Sequence, residues 1–157
     1  MSVIIAVSGY KNSGKTTVIE KLVKVFSARE MKTAVIKHDG HSFEPDMKGT
    51  DTRRFYDAGA VGTAVFDGGK FQLVKRCRAD EKELTAMFPE ADIIMLEGFK
   101  HSEYPKLWVC SDEKPKDDES IKNIIAWIGR DGQPCFDKDE TEKTADFIMN
   151  YFEGREE

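Results

Sequence analysis

Apolar and polar positions follow one another along the chain in blocks with two different periods. Residues 3–7, Val-Ile-Ile-Ala-Val, form an unbroken apolar run. Such a run reads as a strand buried on both faces, as in a parallel sheet. It ends at Ser8 and Gly9, and from Lys15 the period changes. Val18, Ile19, Leu22, Val23 and Phe26 recur at three- and four-residue spacing, which predicts an amphipathic helix. Residues 33–36 predict a second short strand, so the three segments fit a βαβ unit with a crossover helix. Residues 38–48 are polar and contain Gly40 and Pro45. They predict a long loop, and long loops in compact domains are usually functional or disordered.

Further on, Thr50 is placed to cap a short helix over 51–58 that Gly59 closes. Residues 61–66 predict a third strand, and Asp67-Gly68-Gly69 turns it back into 71–74 as a hairpin. A helix over 81–88 stops at Pro89. Residues 93–96 form the most apolar strand of the middle of the chain, and 107–109 and 124–128 predict two more. The charged segment 111–120, with Pro115, reads as a solvated loop. A closing helix over 139–152 puts Ala145, Ile148, Met149 and Phe152 on one face. Strands alternating with helices predict an α/β fold with an open, mostly parallel sheet and a small antiparallel hairpin. With 157 residues and no internal repeat or linker, a single domain over 1–157 is expected.

The chemistry is concentrated where the first strand meets the first helix. Residues 9–16, Gly-Tyr-Lys-Asn-Ser-Gly-Lys-Thr, match G-x-x-x-x-G-K-[ST]. Gly9 and Gly14 permit backbone angles and close approaches that a Cβ forbids. Successive amide N–H groups of the loop then converge on phosphate oxygens, and the helix adds the positive end of its dipole. Lys15 sets a cation against the β- and γ-phosphates, and Thr16 offers a hydroxyl to Mg2+. The motif is meaningful only between a strand and a helix, and here it lies between them. The expected ligand is a purine nucleoside triphosphate with magnesium, held in a three-layer P-loop NTPase fold.

Bulk properties narrow the setting. A net charge of −5 disfavours a nucleic-acid binder, because phosphate backbones reward clustered Lys and Arg. Cys77, Cys110 and Cys135 are widely spaced and odd in number, which indicates free thiols rather than a disulfide framework or zinc ribbon. No run approaches the roughly 20 apolar residues of a membrane span, and no signal-peptide pattern opens the chain. A cytoplasmic protein is expected, with neither a nucleic-acid nor a membrane partner.

Topology places further candidates. In a parallel α/β sheet the ligand lies beyond the carboxyl ends of the strands. His38 and Asp39, Asp67, and Glu97 with Gly98 each follow a predicted strand and are expected to face the phosphates. Glu97 is the candidate for the magnesium shell, directly or through a coordinated water, and Gly98 allows close approach to the γ-phosphate. Asp92 precedes its strand and belongs at the opposite end of the sheet. Asp51, opening its helix, has two readings: it positions magnesium or water, or it favours the helix dipole. His38, His41, Asp46 and Asp51 lie on or beside the long loop, which reads as a switch-like segment ordered by nucleotide and magnesium. Arg53 and Arg54 reach phosphates or a partner, or are solvated.

Together these residues resemble one family. They are Gly-Tyr-Lys-Asn-Ser-Gly-Lys-Thr-Thr at 9–17, Lys37-His38-Asp39-Gly40-His41, Asp46 with Gly49-Thr50-Asp51-Thr52-Arg53, Ala58-Gly59-Ala60, and Glu97-Gly98-Phe99-Lys100. The set is similar to the molybdopterin-guanine dinucleotide biosynthesis adaptor proteins, the MobB family, and spans residues 3 to 128. The resemblance implies a GTP-binding P-loop fold of the signal-recognition and MinD-like class, slow and weak GTP hydrolysis, and a homodimer. It implies a helper role toward the molybdenum cofactor guanylyltransferase, which attaches GMP to molybdopterin, and toward acceptor molybdoenzymes. It assigns nucleotide contact to Gly9, Asn12, Ser13, Gly14, Lys15, Thr16 and Thr17, and the second acidic motif to Glu97 and Gly98. Many members of the wider class carry a lysine directly after the first loop glycine, reaching into the partner subunit. Here Tyr10 takes that place and Lys11 follows.

No [NT]-K-x-D base-reading motif occurs, so GTP over ATP rests on the resemblance. Ile128-Gly129-Arg130-Asp131 follows a late strand, which makes Asp131 the candidate for the base. Two readings remain open. One is an adaptor whose nucleotide state controls docking. The other is a P-loop kinase for a small metabolite, which would use Lys15 and magnesium on the same developing charge. Residues 111–120 contain no Arg, which disfavours a phosphate-closing lid. No water-orienting Gln or cis arginine finger is evident, so unaided hydrolysis is expected to be slow.

Overall fold

The computed structural model of this chain describes residues 2–40, 43–111, 119–129 and 134–155. In chain order the elements are β1 (Val3–Ser8), α1 (Lys15–Ala28), β2 (Thr33–Lys37), α2 (Asp51–Asp57), β3 (Gly62–Phe66) and β4 (Phe71–Lys75). They continue with α3 (Glu81–Thr85), β5 (Ile93–Glu97), β6 (Lys106–Val109), β7 (Ile124–Ile128), β8 (Cys135–Phe136) and α4 (Thr141–Glu153). They pack as two units, residues 1–38 with 84–157, and residues 39–83.

The first unit is built on a six-stranded, all-parallel sheet in the order β2-β5-β1-β6-β7-β8. Burial follows position. All five residues of β5 and all four of β6 are buried, which explains their unbroken apolar runs. At the edge, β2 alternates between buried and outward positions. β2 does not pair with β1, as a minimal βαβ unit would have it; β5 lies between them. That insertion puts the carboxyl end of β5 directly beside that of β1.

One face of the sheet is covered by α1 and α4. Leu22 and Phe26 of α1 and Ala145 and Ile148 of α4 are fully buried against Ile5, Val7, Ile93 and Val109. Truncating one such side chain typically costs about 2–5 kcal/mol. The other face is covered thinly. Ala6, Ala34, Ile36, Ile94 and Leu96 pack under Leu84, Phe88, Phe99 and Tyr104. The helix expected over 81–88 is only Glu81–Thr85. Beyond it the chain tightens into three-residue turns, Met87 N–H to the Leu84 carbonyl and Phe88 N–H to that of Thr85. Phe88 thereby reaches the sheet, and the residue before Pro89 is steered away from helical angles.

The second unit holds α2 and the antiparallel hairpin of β3 and β4. Thr50 caps α2 as expected, accepting from the Arg53 N–H at 3.3 Å. Arg76 lies over the Tyr56 ring at 3.6 Å and donates to the carbonyls of Tyr56 and Ala60, tying the hairpin to α2. One expectation is corrected here. Asp67 follows β3, but β3 belongs to the hairpin and not to the parallel sheet. Asp67 accepts from the Gly69 and Lys70 N–H groups, so its carboxylate shapes a turn.

Lys106, the first residue of β6, is fully buried. Burial pushes its pKa below the usual lysine value, with Glu103 acting the other way. Its ammonium donates to the carbonyls of Ser102, Tyr104 and Lys122 at 2.8, 3.0 and 2.5 Å. All three donors are thus matched, and the two loops flanking β6 are stapled by one side chain. Lys106→Met should leave three carbonyls without a partner and cost about 3 kcal/mol, or roughly 10 °C of Tm. Thermal unfolding followed by circular dichroism checks this, and an unchanged Tm would contradict the staple.

Candidate functional site

β1 delivers the chain to Gly9 at the carboxyl edge, between β5 and β6. There the main chain runs so close to β6 that a Cβ on Gly9 would meet the Val109 carbonyl oxygen at 2.4 Å and Ser13 Oγ at 2.7 Å. Only glycine fits. Asn12 (φ 61°) and Gly14 (φ 97°) then take left-handed angles, which Asn and Gly tolerate. The Ser13 N–H closes the turn on the Tyr10 carbonyl at 3.3 Å. α1 starts at Lys15 behind Gly14, with no side chain capping it and no acid in its first turn. Its leading N–H groups and positive dipole end are therefore free for an anion.

Lys15 bends back over this loop and donates to the Tyr10 carbonyl at 2.6 Å. Partial burial lowers its pKa; Glu97 pulls it up and Lys37 pushes it down. Tyr10 itself is anchored, its ring edge-on to Trp108 at 5.5 Å. Trp108 is buried and meets Trp127 in turn.

The acidic partner lies one strand over. Glu97, the last residue of β5, is buried and accepts from the Thr16 hydroxyl at 2.8 Å. Lys37, ending β2, stands 3.6 Å from the same carboxylate oxygen. Gly98 follows with φ +98° and donates to the Val7 carbonyl. The structure thus brings together Gly9, Asn12, Ser13, Gly14, Lys15, Thr16, Thr17, Glu97 and Gly98 around one carboxyl edge. Asp92 is at the other end, accepting from the Lys32 N–H, as its place before β5 requires.

These residues fit a triphosphate with magnesium. The glycine-lined cradle and the uncapped helix suit phosphate oxygens, and a hydroxyl beside a carboxylate is a suitable donor set for Mg2+. Among the described residues no group of three His, Cys, Asp or Glu is clustered for a metal. A magnesium ion that also takes phosphate oxygens and water does not need one.

His38 follows β2 at the same carboxyl edge, beside Glu97 and Gly98. Its ring packs on Phe99 at 5.5 Å, and its backbone N–H donates to the Glu97 carbonyl. Asp51, Asp46 and Arg53 belong to the 39–83 unit. There Asp51 pairs with Arg54, Asp46 accepts from Gln72, and Arg53 pairs with Asp57 and Glu44. His41, Asp131 and the charged segment 112–118 lie outside the described residues.

Two lysines make contacts that the sequence pattern does not predict. Lys37 faces Glu97, as above. Lys138 follows β8 and donates from Nζ to the Ser13 carbonyl at 3.2 Å, so it touches the phosphate loop itself. β8 has two residues, too few for any period to mark it, and the contact spans 125 positions.

Residues 4–130 match the family described as molybdopterin guanine dinucleotide synthesis protein B, MobB. A Bacillus subtilis protein described as a probable molybdopterin-guanine dinucleotide biosynthesis adapter protein is 36% identical, over 96% of this chain and 94% of its own. The adapter protein of Escherichia coli is 28% identical, over 96% and 93%. The crystal structure of Bacillus subtilis MobB superposes with a TM-score of 0.77 at 34% identity, covering 94% of this chain and 96% of that one. A strand order that sets Glu97 beside a glycine-cradled helix start, and a match across nearly the whole chain, lead to one conclusion: this chain belongs to the MobB family.

Proposed function

We propose that this protein is a GTP-binding adaptor in molybdopterin-guanine dinucleotide biosynthesis, acting in the cytoplasm on the molybdenum cofactor guanylyltransferase and on acceptor molybdoenzymes. The observation that carries the nucleotide part is the open amide cradle at the start of α1, with Lys15 beside it and Thr16 bonded to Glu97. Gly9, Asn12, Ser13, Gly14, Lys15, Thr16, Thr17 and Gly98 form the phosphate contacts. Thr16 and Glu97 would hold Mg2+, and Lys15 and Asp51 are the candidate catalytic residues. The family resemblance is what supports the guanine preference and the partner.

A homodimer is part of this reading. Ala64 and Phe66 on β3 stand opposite Leu73 and Phe71 on β4, so they share one face. Phe66, Phe71 and Leu73 are exposed there. A two-stranded sheet is marginally stable by itself, and exposed apolar patches mark interaction sites. A second copy of this chain presents the same apolar hairpin, and a two-fold contact is self-complementary.

Four outcomes are expected. Lys15→Ala should keep its Tm but lose GTP affinity on the order of a hundredfold, measured by titration with a fluorescent GTP analogue. Chelating magnesium should weaken wild-type binding about tenfold and affect Glu97→Gln far less. Wild-type affinity in folded Lys15→Ala would reject the nucleotide assignment. Single-turnover hydrolysis by the isolated protein should stay near intrinsic GTPase rates, below about 10⁻² s⁻¹; a rate typical of an assisted GTPase would contradict an unaided adaptor. Finally, Phe66→Ser with Phe71→Ser should convert a dimer to a monomer in light scattering, and an unchanged mass would exclude the hairpin as the interface.

A further inference from the structure

The phosphate loop has two flanks, and they differ in chemistry. On the β5 and β2 side stand Glu97, Thr16 and Lys37. A metal held there would neutralise charge at the far end of a triphosphate, which would turn that end to this side. The nucleoside would then lie over the other flank, where β6, β7 and β8 end. Two features meet on that flank. Gly129 follows β7 with φ +85°, and Lys138 follows β8. The Lys138 stem lies across Gly129 so closely that a Cβ there would meet Lys138 Cε at 2.9 Å.

We propose that Lys138, laid over Gly129, forms the subsite for the nucleoside end of the nucleotide and couples it to the phosphate loop. The inference rests on the GTP-binding reading above. Three observations support it. The Lys138 ammonium is fixed to the loop through the Ser13 carbonyl. Its main chain is fixed to α1, because Lys21 Nζ donates to the Lys138 carbonyl at 3.1 Å and to Asp139 Oδ1 at 2.7 Å. Yet the Lys138 residue remains exposed. A long side chain held at both ends and open along its length is a preformed shelf. Four methylenes give an apolar surface for a ribose or base edge, and the ammonium favours the face of an aromatic ring. Gly129 keeps the shelf flat, since any side chain there would lift the stem.

Such a role separates nucleoside from phosphate. Titration calorimetry with magnesium compares GTP with inorganic triphosphate on wild type, Lys138→Ala and Gly129→Ala. Lys138→Ala should lose about tenfold in GTP affinity. Its affinity for inorganic triphosphate should change by no more than about threefold, the share of one exposed hydrogen bond to the loop. Gly129→Ala, which displaces the stem without removing the ammonium, should show the same asymmetry. Equal losses for both ligands would make Lys138 a clamp on the loop alone and overturn the proposal, as would unchanged GTP affinity in both variants. Lys15→Ala serves as the control. If wild type binds neither ligand, or Lys15→Ala binds both normally, the nucleotide reading itself fails and this subsite fails with it. Melting curves confirm that each variant is folded.

Discussion

Between Gly9 and the carbonyl oxygen of Val109 there is no room for a methyl group; a Cβ would come within 2.4 Å. That approach lets the chain leave β1, pass over the end of β6 and turn back within a few residues. The left-handed angles at Asn12 and Gly14 complete the turn. α1 therefore begins directly above the carboxyl edge of the sheet with its first N–H groups unclaimed. Its aim is then held by packing and not by the loop: Leu22 and Phe26 are fully buried between the sheet and α4. A helix so anchored keeps its dipole pointed at the cradle whether or not an anion is present, which is the preorganisation that electrostatic recognition requires.

Strand order supplies the second half of the site. β5 returns to pair between β2 and β1, so Lys37, Glu97 and the phosphate loop end level on three neighbouring strands. A buried carboxylate is costly unless its charge is matched. Here it takes the Thr16 hydroxyl, with the Lys37 ammonium close by. Those are the interactions that a divalent cation would compete for. Glu97 is in this sense held ready, with partners weak enough to yield to a metal. Lys15 fits the same logic, since partial burial that lowers its pKa also strengthens its attraction for phosphate by lowering the local dielectric.

The sequence made the chemical centre readable because phosphate binding demands glycines, a lysine and a hydroxyl at fixed separations. Glu97 was readable one step less directly, through the rule that ligands sit at strand carboxyl ends. That rule misplaced Asp67, since local pattern says that β3 is a strand but not which sheet it joins. β7 matched its apolar run residue for residue, while the helix after residue 81 proved shorter because Phe88 is drawn to the sheet. Lys106 was invisible: a lysine before an apolar triplet reads as a strand flank, and nothing local announces three carbonyls waiting for it. Lys138 was hidden for the same reason, its partner being 125 positions away. Side chains whose role is to join distant segments leave no periodic trace.

Position 10 illustrates how one residue can exchange a functional duty for a structural one. Many members of the wider class that this chain resembles carry a lysine here. Here the Tyr10 ring lies edge-on to buried Trp108, itself packed on Trp127. Its carbonyl takes both the Ser13 N–H and the Lys15 ammonium. A side chain so engaged cannot extend outward without giving up its aromatic contact, worth about 0.5–1.5 kcal/mol beyond burial. Losing it would also loosen the carbonyl on which Lys15 rests. The loop is therefore braced within its own subunit, and any charge brought by a second subunit or a partner protein has to come from another position. Bracing of this kind is complete within the chain itself, through Trp108, Ser13 and Lys15.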